Sequence, residues 1–178
     1  LSDQFPVGFD HQLNQPFNPQ RSPLLPYFAV AQVKECPTFE TPREGFEAGN
    51  GGYGYNQRYL GTDDPDNPRS QSSARLDHAA NPTQTLHFAD TAFSTNAVDL
   101  IEYSFAEPPI HAAGFPASPS IHFRHHTTAN AAWLDGRVTP QTLSFTRGAP
   151  IYAVPEAANR QLDLGWFGPE DNTLFDLQ

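Results

Sequence analysis

The sequence predicts an α+β domain that is mostly β: an antiparallel sheet built as hairpins or a meander, joined by long proline- and glycine-rich loops. Three observations carry this. Eighteen Pro and 12 Gly are spread through 178 residues, and each interior proline would delete a helical hydrogen bond and clash with the preceding turn. Fourteen Phe, 6 Tyr and 2 Trp favour pleated surfaces over long helices. Short stretches of alternating apolar and polar residues recur between turn signals.

Each element follows from its residues. Residues 1–23 hold four prolines and scattered aromatics without a period, which predicts an extended N-terminal arm; Phe5, Phe9 and Phe17 are its candidate assembly contacts, over the body or on a neighbouring subunit. The domain proper is expected over 24–178. Residues 24–33 (LLPYFAVAQV) are apolar enough for a short helix or strand, with helix favoured, and Cys36-Pro37 ends whichever forms because the residue before proline is pushed out of the α region. Residues 45–61 interleave Gly with Tyr and predict irregular backbone pinned by rings. A polar loop spans 62–73, and a brief helical turn spans 74–80. Thr85–Asp90 alternates as a half-buried strand, and Leu100–Phe105 repeats the pattern.

After the proline-rich loop 106–119, Ile121, Phe123 and His125 share one strand face. Ala131, Trp133 and Asp135 share a face of the next strand, with 127–130 as the reversal. Asp135-Gly136 predicts a second hairpin with a two-residue primed turn. Three consecutive antiparallel strands follow from this. Leu143 and Phe145 continue a strand after Pro140, and Leu162–Trp166 closes the chain.

Composition narrows the chemistry. The net charge of -10 and the lack of a basic stripe argue against nucleic acid as a partner, and leave solubility or divalent-cation binding as uses for the acidic surface. Cys36 is the only cysteine, so no intramolecular disulfide can form; it reads as a small buried hydrophobe. The apolar run 24–33 is far short of the roughly 20 residues that span a bilayer. Membrane attachment is therefore expected only through a segment absent from this chain. A first residue Leu and no Met point to something upstream having been removed or left out.

Among metal-binding residues, His122 and His126 fall on one strand face and His125 on the other, so alternation keeps the three from converging on zinc. Asp63, Asp64 and Asp66, with Asn67, form the best oxygen-rich loop and the candidate calcium ligands. No Gly-x-Ser-x-Gly elbow occurs, and Cys36 has no histidine near it in sequence. No catalytic residue is assigned, and the chain reads as a non-enzyme. Tyr53, Tyr55, Tyr59 and Trp166 support an alternative, an extracellular carbohydrate- or surface-binding module with rings as stacking platforms.

The most specific signal is IHFRHHTTANAAWLDGRV. His125, nine intervening residues, then Asp135-Gly136 resembles the defining pattern of the prepilin-type processing-associated H-x(9)-D-G domain, related to the major pseudopilins of type II secretion and to type IV pilins. Leu24-Leu25-Pro26-Tyr27, Cys36-Pro37, Tyr53-Gly54-Tyr55-Asn56 and Pro82 with Leu86–Thr91 resemble further blocks of that family in order. Arg137 departs from the His usual after the Asp-Gly.

The resemblance implies a pilin-like globular domain and a structural subunit that self-associates into a filament or homo-oligomer, or docks in a secretion apparatus. It implies an extracellular, periplasmic or cell-surface location and no cofactor, with calcium the one possible cation. On the residues alone, His125 and Asp135 are expected to hydrogen-bond across neighbouring strands, with Asp135 also capping its own turn. Arg124, Asn130, Gly136 and Asp90 complete this structural motif. Asp90, His125 and Asp135 are also the alternative metal ligands.

Overall fold

The computed structural model describes residues 9–10, 15–16, 36–40, 51–61, 74–111 and 117–177. Within them the chain is mostly β, its named strands all pair antiparallel, and helices are few and short. The expected helix over 24–33, the loop 62–73, the candidate calcium ligands Asp63, Asp64 and Asp66, and the arm residues Phe5 and Phe17 lie outside the described residues. The expected arm contains a short pairing: β1 (Phe9–Asp10) runs antiparallel to β2 (Gln15–Pro16), with Phe9 opposite Pro16.

The main sheet has four strands in the order β3 (Tyr53–Tyr55), β4 (Leu86–Asp90), β6 (Thr128–Trp133) and β7 (Val138–Thr142). Alternation along β6 buries Ala129, Ala131 and Trp133 on one face, as a strand's two-residue period requires. Pro140 sits mid-strand in β7 opposite Asn130. It is tolerated because β7 is an edge, where a missing N–H faces no partner strand. A two-stranded sheet, β5 (Ile121–His122) with β8 (Leu164–Gly165), lies beside it. The core joins the two through Leu86, Ile121, Phe123, Trp133, Phe145, Trp166 and Phe175, with Phe145 stacked on Trp166 at 5.3 Å between centroids.

Several expectations are corrected. Residues 53–55 are strand rather than irregular, because Gly54 has no side chain to keep other backbone away. A Cβ there would lie 2.4 Å from Thr91 Cγ2 and 2.7 Å from the Phe105 carbonyl carbon, so glycine permits the parallel bridge of Tyr55 to Phe105. Leu100–Phe105 forms no strand; its alternation is used by isolated bridges at Ile101 and Phe105.

The predicted meander also differs. Ile121 pairs with Gly165 and Thr91, not with the strand that follows it. The reversal occurs at His126 and Thr127, both at positive φ (50° and 67°), and only His125 and Thr128 close across it. The Asp135-Gly136 hairpin holds three loop residues rather than two. Trp133 N–H bonds the Arg137 carbonyl at 2.9 Å, and Gly136 alone takes a left-handed conformation, φ 86°, as in a type I turn followed by a bulge.

The brief helical turn expected near 74–80 is a 3-10 turn at Leu76–His78. The α-helices are α1 (Gln57–Leu60) and α2 (Glu156–Gln161). No helix among the described residues is long and apolar enough to cross a membrane.

Candidate functional site

At the end of β6 away from the Asp-Gly hairpin, three sequence-distant segments bring polar side chains together. Asp90 ends β4, Arg124 and His125 lead into β6, and Cys36, Thr38 and Phe39 arrive on a separate loop. That loop is held by Cys36 N–H to the Gly51 carbonyl at 2.9 Å.

Asp90 is the hub. Its Oδ1 accepts from Arg124 Nη2 at 2.7 Å, and its Oδ2 accepts from the Asn130 backbone N–H at 2.7 Å. His125 Nε2 stands 3.1 Å from the same Oδ2. The carboxylate and guanidinium are 1% and 3% exposed, and burying charges that deeply is tolerated only where they are paired and hydrogen-bonded. Arg124 is further used by the Gly52 carbonyl at 2.6 Å, the Thr91 carbonyl at 3.2 Å and the face of Phe39, 4.7 Å from the ring centroid.

Cys36 belongs to this cluster. Arg124 Nε lies 3.3 Å from its Sγ, Thr38 Oγ1 3.2 Å and His125 Nε2 3.5 Å. Burial pushes the thiol up, but the hydrogen bonds of Thr38 and Arg124 and the guanidinium's charge outweigh it and hold the thiol below its ordinary value. Tyr53 is raised, first by burial and then by the nearby Cys36 and Asp90. His122, packed edge-on to Phe39 at 5.5 Å between centroids, is driven down to about 3, first by burial and then by the charges of Arg124 and His125. It is a neutral acceptor facing Arg124 Nη1 at 3.4 Å.

The expected bond between His125 and Asp135 is not formed. Six residues of β6 separate them, on the order of 17 Å of extended chain. His125 pairs with Asp90 instead, while Asp135 accepts from its own turn, from Arg137 N–H at 3.0 Å and Arg137 Nε at 3.2 Å. The motif therefore fastens the two ends of β6 separately. Asp135 takes no part in the cluster, so of the alternative metal ligands only Asp90 and His125 come together. Cys36, read from sequence as a plain apolar residue, joins them; the three donor atoms lie within 4.8 Å of one another. Sulfur, imidazole nitrogen and one carboxylate oxygen do not suit calcium, which takes six to eight oxygens.

The alternative stacking platform is also dispersed. Trp166 is fully buried, its Nε1–H on the Glu107 carbonyl at 2.8 Å. The Tyr59 hydroxyl accepts from Asn172 at 2.7 Å, and Tyr55 packs on Phe88 at 5.1 Å between centroids. Compared with protein-family models, curated proteins and solved structures, the chain matches none.

Proposed function

We propose that this chain is a structural subunit, the β-rich globular part of a pilin- or pseudopilin-like assembly of the cell envelope, at the cell surface, in the periplasm or outside the cell, and that it acts by self-association or docking rather than by catalysis. The carrying observation is how the His125 and Asp135-Gly136 motif is used. At one end of β6, Arg124, His125 and Asn130 converge on buried Asp90, and at the other Asp135 closes its own turn. Such side chains are engaged in holding backbone.

A catalytic reading of Cys36, His125 and Asp90 is less well supported. A nucleophile and an orienting carboxylate act through opposite nitrogens of the imidazole, whereas Cys36 and Asp90 both face Nε2 and Thr38 faces Nδ1 at 3.3 Å. Burial of Trp166 likewise counts against the carbohydrate-binding alternative.

Intact mass and native electron microscopy of the protein recovered from its source cell test the proposal. The expected result is envelope-associated filaments or oligomers containing this chain. Recovery solely as a dispersed intracellular monomer would overturn it. Removal of residues 1–23 is expected to leave folded monomers if the arm is the connector.

A further inference from the structure

The geometry points to a zinc-type site formed by Cys36 Sγ, Asp90 Oδ2 and His125 Nε2, a function for the cluster separate from its role in assembly. Its first support is distance. Zinc bonds of about 2.3 Å to sulfur and about 2.0–2.1 Å to nitrogen and oxygen at tetrahedral angles set ligand separations of roughly 3.6 Å for sulfur to nitrogen and roughly 3.4 Å for nitrogen to oxygen. The corresponding separations are 3.5 Å and 3.1 Å; sulfur and the carboxylate oxygen lie within 4.8 Å, and a shared zinc would draw them to roughly 3.6 Å.

The second support is the direction of the surrounding hydrogen bonds. Arg124 Nε reaches Sγ, Arg124 Nη2 takes the outer oxygen of Asp90, and the Asn130 N–H takes Oδ2 from the backbone side. Thr38 has one hydroxyl proton and touches both Sγ, at 3.2 Å, and His125 Nδ1, at 3.3 Å. Donating to the thiolate leaves its lone pairs to accept Nδ1–H. That places the imidazole's free lone pair on Nε2, as metal-ligating histidines require when a neighbour holds the other nitrogen.

In that arrangement three acceptors converge, and a cation at their centre reconciles them. Zinc binding releases to solvent any proton its ligands carry. Thiolate, carboxylate and guanidinium sum to one negative charge, which favours a bound cation. Soft sulfur with imidazole and one carboxylate selects zinc over calcium or magnesium. Entry is along the edge of His125, whose side chain is 25% exposed.

The test uses the whole chain stripped of metal and titrated with cobalt(II), zinc and calcium. Cobalt is expected to bind one equivalent with a near-ultraviolet sulfur-to-cobalt charge-transfer band, zinc to abolish the band by competition, and calcium to leave it unchanged. Cys36→Ser should remove the band, Thr38→Val should weaken binding about tenfold through the lost hydrogen bond to His125 Nδ1, and the exposed His78→Ala should behave as wild type. A folded wild-type protein without the band, or a band that survives Cys36→Ser, overturns the site. Should Cys36→Ser fail to fold, X-ray absorption of the zinc-loaded wild type decides: one sulfur with nitrogen and oxygen neighbours supports the site, and no sulfur neighbour refutes it.

Discussion

Replacing Asp90 with Ala removes the hub of the cluster, and the structure sets the size of the effect. The carboxylate is 1% exposed and its guanidinium partner 3%, so removing the anion leaves a buried cation, a loss of about 3–5 kcal/mol. The Asn130 N–H, 2.7 Å from Oδ2, loses an acceptor at a further cost of about 1 kcal/mol. Arg124 keeps the Gly52 and Thr91 carbonyls at 2.6 and 3.2 Å, which caps the total near about 5 kcal/mol, a large part of the roughly 5–15 kcal/mol available to a domain. Asp90→Asn retains an acceptor and should cost about half as much. Asp90→Leu with Arg124→Met should cost less than either single change, because both buried charges leave together. Urea unfolding in the presence of a chelator measures this as a lower midpoint with an unchanged slope. A loss below about 1 kcal/mol for Asp90→Ala, or strict additivity in the double variant, refutes the buried-pair reading.

His122 predicts an acid transition. Its folded value of about 3 lies below the ordinary 6.5, so the unfolded chain binds the extra proton, and stability is full above pH 6.5 and lost as pH falls toward 3. The upper bound is roughly 5 kcal/mol at 1.36 kcal/mol per pH unit; His122→Asn, which keeps an acceptor for Arg124, should flatten the unfolding free energy across that window, and an unchanged slope would count against it. Gly54→Ala drives a Cβ within 2.4 Å of Thr91 and 2.7 Å of the Phe105 backbone and should lower stability by about 1–3 kcal/mol. Gly136→Ala meets nothing within 4 Å at φ 86°, so thermal unfolding should register only about 1–2 kcal/mol of backbone strain there. His126 and Thr127 occupy a turn with φ of 50° and 67°. Exchanging them for Asn-Gly, the pair that this turn favours, should raise stability by about 1–2 kcal/mol, and a loss would mean that the native side chains hold more than the turn.

The strand at Leu86–Asp90 is legible in the sequence, as is the part of Thr128–Trp133 from Ala131 onward, where Ala131 and Trp133 are buried on one face; Thr128–Asn130, expected as the reversal, extend that strand instead. Ile121–His122 is a strand as its sequence predicts, but its partner, Leu164–Gly165, lies some forty residues later, and nothing local announces a non-local ladder. At Leu100–Phe105 the alternation marks isolated bridge positions, Ile101 and Phe105, not a continuous strand, and of these six residues only Ile101 is buried. The cluster was half legible. Arg124-His125, directly after the apolar Phe123, call for a buried acid, and Asp90 is the acid closing a half-buried strand. Asp135 drew the pairing away from it because a fixed spacing of nine residues suggests contact, whereas an extended chain of that length separates its ends. Cys36 gave no signal, because its partners stand 54 and 89 positions away in the sequence.

Strain and fastening coincide at that end of β6. Two non-glycine residues in the left-handed region cost about 1–2 kcal/mol each, and such strain persists only where neighbouring contacts over-determine the backbone. Here those contacts come from Asp90 on Arg124, His125 and the Asn130 N–H, which flank the two strained residues on both sides. The buried pair therefore does two things: it compensates its own desolvation, and it holds a reversal that the sequence His126-Thr127 would otherwise relax. A relaxed reversal would withdraw His125 from Cys36 and Thr38, leaving the loop to Arg124, which touches Cys36 Sγ and the Phe39 ring, and to the Cys36 N–H bond with the Gly51 carbonyl. Integrity of the hairpin and the solvent protection of Cys36 are thus coupled. A variant that releases the turn should free the Cys36 thiol to a disulfide reagent, while a surface change of similar stability cost, such as Gly136→Ala, should leave it protected.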